Sequence, residues 1–182
     1  MTVTTYKWSI EEWHELVNTG ALANKPIELL DGEIIRVSPE REEHTYTTDD
    51  VAEYLRGLLR GNAKVRETHP ITLDNSEPEP DIAVVRLPNS IYREHHPYPQ
   101  DIYWLIEVSN STLKLDTEVK SKIYARNGIR EYWIIDLPNK QLIVHTHPTG
   151  DTYTQIQKLT SGTISPQAFP QMTIDLSNLL LF

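Results

Sequence analysis

Two acidic residues stand where acids are expensive to keep. Glu107 lies inside Tyr103-Trp-Leu-Ile-Glu-Val108, among apolar and aromatic neighbours, and Glu is almost never fully buried without a partner. An ionised carboxylate left alone there loses several kcal/mol of hydration or takes up a proton at a strongly raised pKa. The plainer reading is a buried salt bridge, or a strand end at which Glu107 already reaches water. Asp81 follows Pro80 and opens the apolar run Ile82 to Val85; alone, it reads as a turn aspartate. If the two runs are neighbouring strands, both acids point into one volume and repel unless a cation or a shared proton relieves them. Oxygen ligands with water positions left open suit Mg²⁺, with Mn²⁺ as a substitute. The expected chemistry is that of a divalent metal held by Asp81 and Glu107.

Other groups can join that pair. Glu28 precedes Leu29-Leu30-Asp31-Gly32 and reads either as a solvated strand residue or as a third carboxylate at the rim of the site. Glu77 and Glu79, in a Pro-rich stretch, are expected to be solvated. Leu115, Val119 and Ile123 form an i, i+4, i+8 stripe, which Lys120 flanks on one side and Lys122 on the other. Periodicity does not choose between the two lysines. Asp116, Lys120 and Tyr124 share a face, whose plain reading is a surface Asp–Lys pair worth a few tenths of a kcal/mol. His44 stands early in a helix, His95-His96 in a loop, and His145 and His147 on one strand face expected to meet solvent. None has zinc-type spacing. Ser109 and Ser111 lack the context of a serine hydrolase.

The elements that must position these groups follow from pattern. Ser9 with Glu12 three residues on is a capping box for a helix through Trp13, Leu16 and Val17, ending near Gly20. Asp31-Gly32 between apolar runs predicts a hairpin over Ile27 to Val37. Val51, Tyr54, Leu55, Leu58 and Leu59 recur at helical spacing and place a helix over 42–59. Strands are expected over 64–73 and 82–86, then a loop over 88–101. The run Tyr103 to Val108 reads as a central strand covered on both faces. A helix over 112–127 closed by Gly128 follows, then strands over 131–137, 141–147 and 153–159. The apolar tail 176–182 either caps the core or forms a contact between copies. The order predicts an α/β (α+β) fold, a mixed sheet flanked by helices. At 182 residues, one domain over 1–182 is expected.

Composition narrows the function classes. The chain has no Cys, which removes disulfides, thiolate metal sites and a cysteine nucleophile. Neither a signal-peptide run at Met1 to Ser9 nor a membrane-spanning stretch is visible, so a cytoplasmic protein without membrane contact is expected. No Walker or GxGxxG phosphate loop occurs. The formal net charge of −9 gives no support to a general nucleic-acid-binding surface. It does suit carboxylates that await a cation.

Three stretches resemble a known family: Ile27-Glu-Leu-Leu-Asp-Gly-Glu33, Glu79-Pro-Asp81-Ile-Ala-Val-Val85, and a longer block. The block runs through Ile106-Glu-Val-Ser109, Asp116, Lys120, Tyr124-Ala125, Gly128-Ile129 and Glu131-Tyr-Trp133 with Asp136. Together they are similar to the Uma-type family of restriction-endonuclease-like proteins, a branch of the PD-(D/E)XK nuclease-like superfamily. The resemblance implies a restriction-endonuclease-like central sheet, Mg²⁺ on Asp81 and Glu107, and hydrolysis of phosphodiester bonds, with DNA the expected nucleic acid. In the wider superfamily a Lys stands two residues after the acidic motif residue; here that position is Ser109. The family resemblance places its lysine in the following helix, on Lys120. Glu28 matches the early family Glu and completes the implied catalytic set of Asp81, Glu107, Lys120 and Glu28, and His44 resembles a family His at the start of the second helix. A homodimer matches duplex symmetry. Two alternatives stay open: a catalytically inactive nuclease-fold domain serving nucleic-acid or protein binding, and a metal-free hydrolase with paired carboxylates acting on a glycoside.

Overall fold

A computed structural model describes residues 4–181. Its centre is a six-stranded mixed sheet in the order β3-β4-β5-β6-β7-β8. The strands are β3 (Lys64–Glu67), β4 (Ile82–Val85), β5 (Ile102–Ser109), β6 (Glu131–Asp136), β7 (Gln141–Thr149) and β8 (Thr152–Leu159). Only β5 and β6 run parallel, because the chain between them crosses back as a helix. That crossover is α3 (Leu113–Leu115), a π-helical segment Asp116–Lys120 and α4 (Ser121–Arg126), without a break.

The period-2 alternation of β5 divides the core. Trp104, Ile106 and Val108 face α2 (Glu42–Leu58) and the C-terminal tail, where Val51, Leu55, Phe169, Leu176 and Leu179 are buried. Leu105 faces the other way, toward α4 and the hairpin β1 (Ile27–Leu30)/β2 (Glu33–Arg36). Trp104 and Trp133 are fully buried, with ring centroids 5.7 Å apart. Aromatics of this size give the largest single contributions to core burial, upwards of about 2 kcal/mol each. Glu107 lies in phase with Leu105, so it enters the helix-covered layer at the far end of its strand. Asp81 is one step beyond the Ile82↔Ile106 pair of the antiparallel β4/β5 ladder, hence opposite Glu107 and on the same face.

Local signals read from the sequence match many elements. The capping box on α1 (Ile10–Asn18) forms through Ser9 and Glu12. Asp31 and Gly32 both take positive φ, 50° and 73°, as a type I′ hairpin turn requires. Among the described residues no helix is long and apolar enough to cross a membrane. The tail caps the core with Leu176, Leu179 and Leu180; Phe182 and Met1 to Val3 lie outside the described residues.

Other expectations are corrected. The strand expected over 64–73 stops at Glu67, since Thr68 turns at φ 44° and donates its N–H to the Asp81 carbonyl at 3.1 Å. β7 continues through Pro148 to Thr149. Glu77 is buried rather than solvated: it accepts from Trp13 Nε1 at 3.1 Å and Thr72 Oγ1 at 2.9 Å, and pairs with His14 Nε2 at 2.7 Å. It ties α1 to the loop ahead of β4.

His145 is buried too, between Tyr132 (5.4 Å) and Tyr153 (5.6 Å), instead of meeting solvent. Burial pushes its pKa down from 6.5 to about 4. The unfolded chain therefore binds more protons between those values, and stability falls as pH drops through that window, by at most about 3 kcal/mol. Urea denaturation of His145→Phe between pH 7 and pH 4 should show a flatter pH profile than that of the parent. An unchanged profile removes His145 as its source.

Candidate active site

The crossover helix turns two polar side chains, Asp116 and Lys120, inward, and it is π-helical where it does so. Across the π-helical segment the ring is wider by one residue, and the expected Leu115/Val119/Ile123 stripe is not buried along its whole length. Val119 is 40% exposed, while Asp116 and Lys120 are buried. The surface Asp–Lys pair expected from spacing is thus an interior feature. Lys122 points to solvent, so tertiary structure separates the two lysines that periodicity left equivalent.

Lys120 Nζ donates to Glu107 Oε1 at 3.0 Å and lies 3.7 Å from Glu28 Oε2. Tyr124, one turn on, donates its hydroxyl to the same Glu107 oxygen at 2.8 Å. Glu107 Oε2 sits 3.4 Å from the Asp81 N–H. Asp81 Oδ2 accepts from the Val108 N–H at 2.6 Å and meets His44 Nε2 at 3.1 Å. Asp116 accepts from Thr112 Oγ1 at 2.8 Å. Ser109, at the position of the superfamily's motif lysine, is buried with its hydroxyl 3.4 Å from that of Thr112. The structure thus brings Asp81, Glu107, Lys120, Glu28 and His44 together, drawn from β1, the start of α2, the start of β4, the end of β5 and the π-helical segment.

Four carboxylates, on Glu28, Asp81, Glu107 and Asp116, surround one ammonium, and all five residues are no more than 8% exposed. Burial raises the Glu107 pKa well above the carboxylate range; Lys120 opposes the rise, while Asp81, Asp116 and Glu28 reinforce it. Glu28 and Asp116 are raised for the same first reason. Burial works to lower the pKa of Lys120, yet Glu107, Glu28, Asp116 and Asp81 together hold it above its ordinary value. These acids and the amine are therefore shifted in one direction, the acids by burial first and the amine by the carboxylates around it, so each holds its proton more tightly than in water.

Glu28 Oε2 and His44 Nδ1 are buried without a hydrogen-bond partner. Glu40, His44 and Asp81 each offer a ligand atom, all within 4.8 Å of one another. Burial lowers the His44 pKa, but Asp81 and Glu40 outweigh it and hold it raised. Glu40 was not foreseen; its signal was the i, i+4 spacing to His44 at the start of α2. Asp116 and Tyr124 belong to the block that carries the family resemblance, which assigns them no role; the structure buries both in the cluster. Asp81 therefore stands both opposite Glu107, itself engaged by Lys120 and Tyr124, and within the group it forms with Glu40 and His44.

Comparison with known proteins adds three findings. The model of the Uma2 family, described as "putative restriction endonuclease", matches residues 10–177. A crystal structure from Anabaena variabilis, described as a "putative nuclease belonging to DUF820", superposes with a TM-score of 0.73. It covers 95% of this chain and 97% of its own at 14% identity, a likeness of fold. A search of the curated proteins found no significant match.

Proposed function

The chain belongs to the Uma2 family, and from that membership we propose that it is a metal-dependent endonuclease hydrolysing phosphodiester bonds, with DNA as substrate and Asp81, Glu107, Lys120 and Glu28 as its catalytic set. The observation that carries the proposal is the gathering of four buried carboxylates, on Glu28, Asp81, Glu107 and Asp116, around the single ammonium of Lys120.

The residues fit a divalent cation. Carboxylate oxygens and one imidazole are donors that Mg²⁺ and Mn²⁺ accept, and two donors, Glu28 Oε2 and His44 Nδ1, stand buried without a hydrogen-bond partner. Asp81 is common to the Asp81/Glu107 pair and to the Glu40/His44/Asp81 group, so it is the residue on which the ion would centre. When bound, the ion supplies Lewis acidity toward a phosphoryl oxygen and lowers the pKa of water. The chain's own groups do the rest. Tyr124 and Lys120 fix the rotamer of Glu107 by hydrogen bonds to one oxygen, leaving the other directed toward Asp81. The Val108 N–H and His44 hold the Asp81 carboxylate. Lys120 brings the buried positive charge that complements negative charge developing on the phosphate, where a low-dielectric setting makes such charge most effective. It reaches the site from a helix, which is how the superfamily's lysine position can be filled by Ser109.

Two measurements test this reading. Supercoiled plasmid incubated with the full chain should be cut with Mg²⁺ or Mn²⁺ and left intact with EDTA. In parallel, saturating Mn²⁺ should raise the melting temperature, since an ion at about 100 times its Kd adds about 2.7 kcal/mol; His44→Ala should lose most of that shift. An uncut plasmid together with a melting temperature indifferent to metal sinks the proposal.

A further inference from the structure

A protein of net charge −9 that holds nucleic acid needs a local surface of positive charge to meet the phosphates. The rim beside His44 is not that surface, for Glu40, Glu42 and Glu43 are all exposed there. The contrast lies along the β3 edge of the sheet. A cleft of about 520 Å³ is lined there by Arg56, Lys64, Arg66, Glu67, His69 and the turn at Thr68. Glu67 is its single carboxylate and is paired to Arg56. Lys64 and Arg66 are therefore uncompensated by any carboxylate of the cleft.

β-sheet geometry aims these two at the site. Lys64 pairs with Val85 and Arg66 with Ala83, so both side chains emerge on the face that carries Asp81 and Glu107. The cleft ends at Thr68, whose N–H donates to the Asp81 carbonyl. Arg66 is only partly exposed, with its guanidinium 5.4 Å from the centre of the Tyr92 ring and its Nε buried without a hydrogen-bond partner. Lys64 and Arg66 also discourage pairing at an open strand edge, as charges there generally do. That role needs charge alone; it does not need a guanidinium anchored on an aromatic ring.

We propose that Lys64 and Arg66 form the track for the sugar–phosphate backbone of the substrate strand flanking the scissile bond, in the cleft along the β3 edge that ends at Thr68. The proposal rests on the nuclease reading above and adds where and in which direction the substrate lies. The span from Lys64 to Glu67 is on the order of 10 Å at the rise of a strand, room for more than one phosphate. Arg66 offers a fixed fork and Lys64 a mobile point charge.

The test is binding of a fluorescein-labelled DNA duplex to the full chain in EDTA, followed by anisotropy across a salt series. Lys64→Glu keeps a charge at the strand edge and so leaves its protection against pairing intact. It should weaken binding about tenfold and reduce the slope of log K against log salt by about one, as the loss of one phosphate contact does. Lys158→Glu, an identical charge change on β8 at the opposite edge, should change affinity less than about twofold, the response expected of a charge remote from the phosphates. Arg66→Gln, with its melting temperature measured alongside, should weaken binding in the same sense. Equal losses for Lys64→Glu and Lys158→Glu overturn the track, since net charge alone then explains them. Parent-level binding in both Lys64→Glu and Arg66→Gln overturns it as well, and leaves the nuclease reading standing if the parent still cuts plasmid. A parent chain that neither binds nor cuts DNA removes the nuclease reading, and the track with it.

Discussion

Lys120→Met should destabilise the protein by about 3–5 kcal/mol at pH 8, the range found when one partner of a buried charge pair is removed. Methionine nearly preserves the volume, so the loss is electrostatic. Glu107, Glu28, Asp116 and Asp81 would remain buried without the ammonium they share. The pH dependence has a definite sign. Glu107, Glu28 and Asp116 carry pKa values raised by burial, so the folded state binds more protons than the unfolded one above their ordinary values of 4.5 and 3.8. Stability contributed by these acids therefore declines as pH rises through that region. Without Lys120, which lowers all three, the decline steepens. The stabilising share of Lys120 itself is complete below its ordinary 10.5 and is lost only at more alkaline pH. Urea denaturation at pH 5 and pH 8 checks this: the deficit of the variant should shrink at pH 5. A deficit that is small at both values would mean that the cluster is already neutral, and would remove the argument for an excess of negative charge.

Glu107→Gln separates catalysis from folding. Glutamine's carbonyl can still accept from Tyr124 and Lys120, and the change removes a charge that Asp81, Asp116 and Glu28 disfavour. Stability near neutral pH should therefore change by less than about 1 kcal/mol, because losing the ion pair with Lys120 and gaining relief from three like charges oppose one another. Cleavage should fall by about 10²–10³-fold or more, the scale of losing one group that stabilises charge in a transition state. Glu118→Gln, on the exposed face of the same crossover helix in a surface pair with Lys114, should cut at the parent rate. Single-turnover plasmid assays with melting curves for both variants distinguish the cases. Full activity in Glu107→Gln excludes Glu107 from the catalytic set, however closely it lies to Asp81.

Local chemistry was written plainly enough in the chain to predict several elements. Ser9 and Glu12 cap α1, Asp31-Gly32 closes the hairpin, and the spacing of Val51, Leu55 and Leu59 predicts α2. These are short-range effects: a hydroxyl reaching an N–H three residues away, a backbone needing positive φ, a stripe at 3.6-residue period. The cost of Glu107 was legible for the same reason, since the five residues around it are apolar whatever their partners. Misreadings arose where distant groups set the environment. Glu77 sits in a Pro-rich stretch that reads as solvated, but Trp13, from another element, buries it. His145 reads as sharing a strand face with His147, which is exposed, yet Tyr132 and Tyr153 enclose it.

The sequence by itself determined which residues were costly and which elements would carry them: Asp81 and Glu107 on two strands, and a lysine on the helix that follows; the structure made the strands neighbours and the two acids opposite. Only the tertiary structure decided which lysine. The crossover helix, π-helical over Asp116–Lys120, turns the Asp116/Lys120/Tyr124 face inward and leaves Val119 out, a choice between adjacent stripes that periodicity alone does not make. Tertiary structure also brought Glu40 and His44 to Asp81, beside the Asp81–Glu107 pair. The physical reason is shared. A carboxylate's role depends on the charges within a few ångströms of it, and those charges come from five elements brought together by a sheet whose register no local signal specifies.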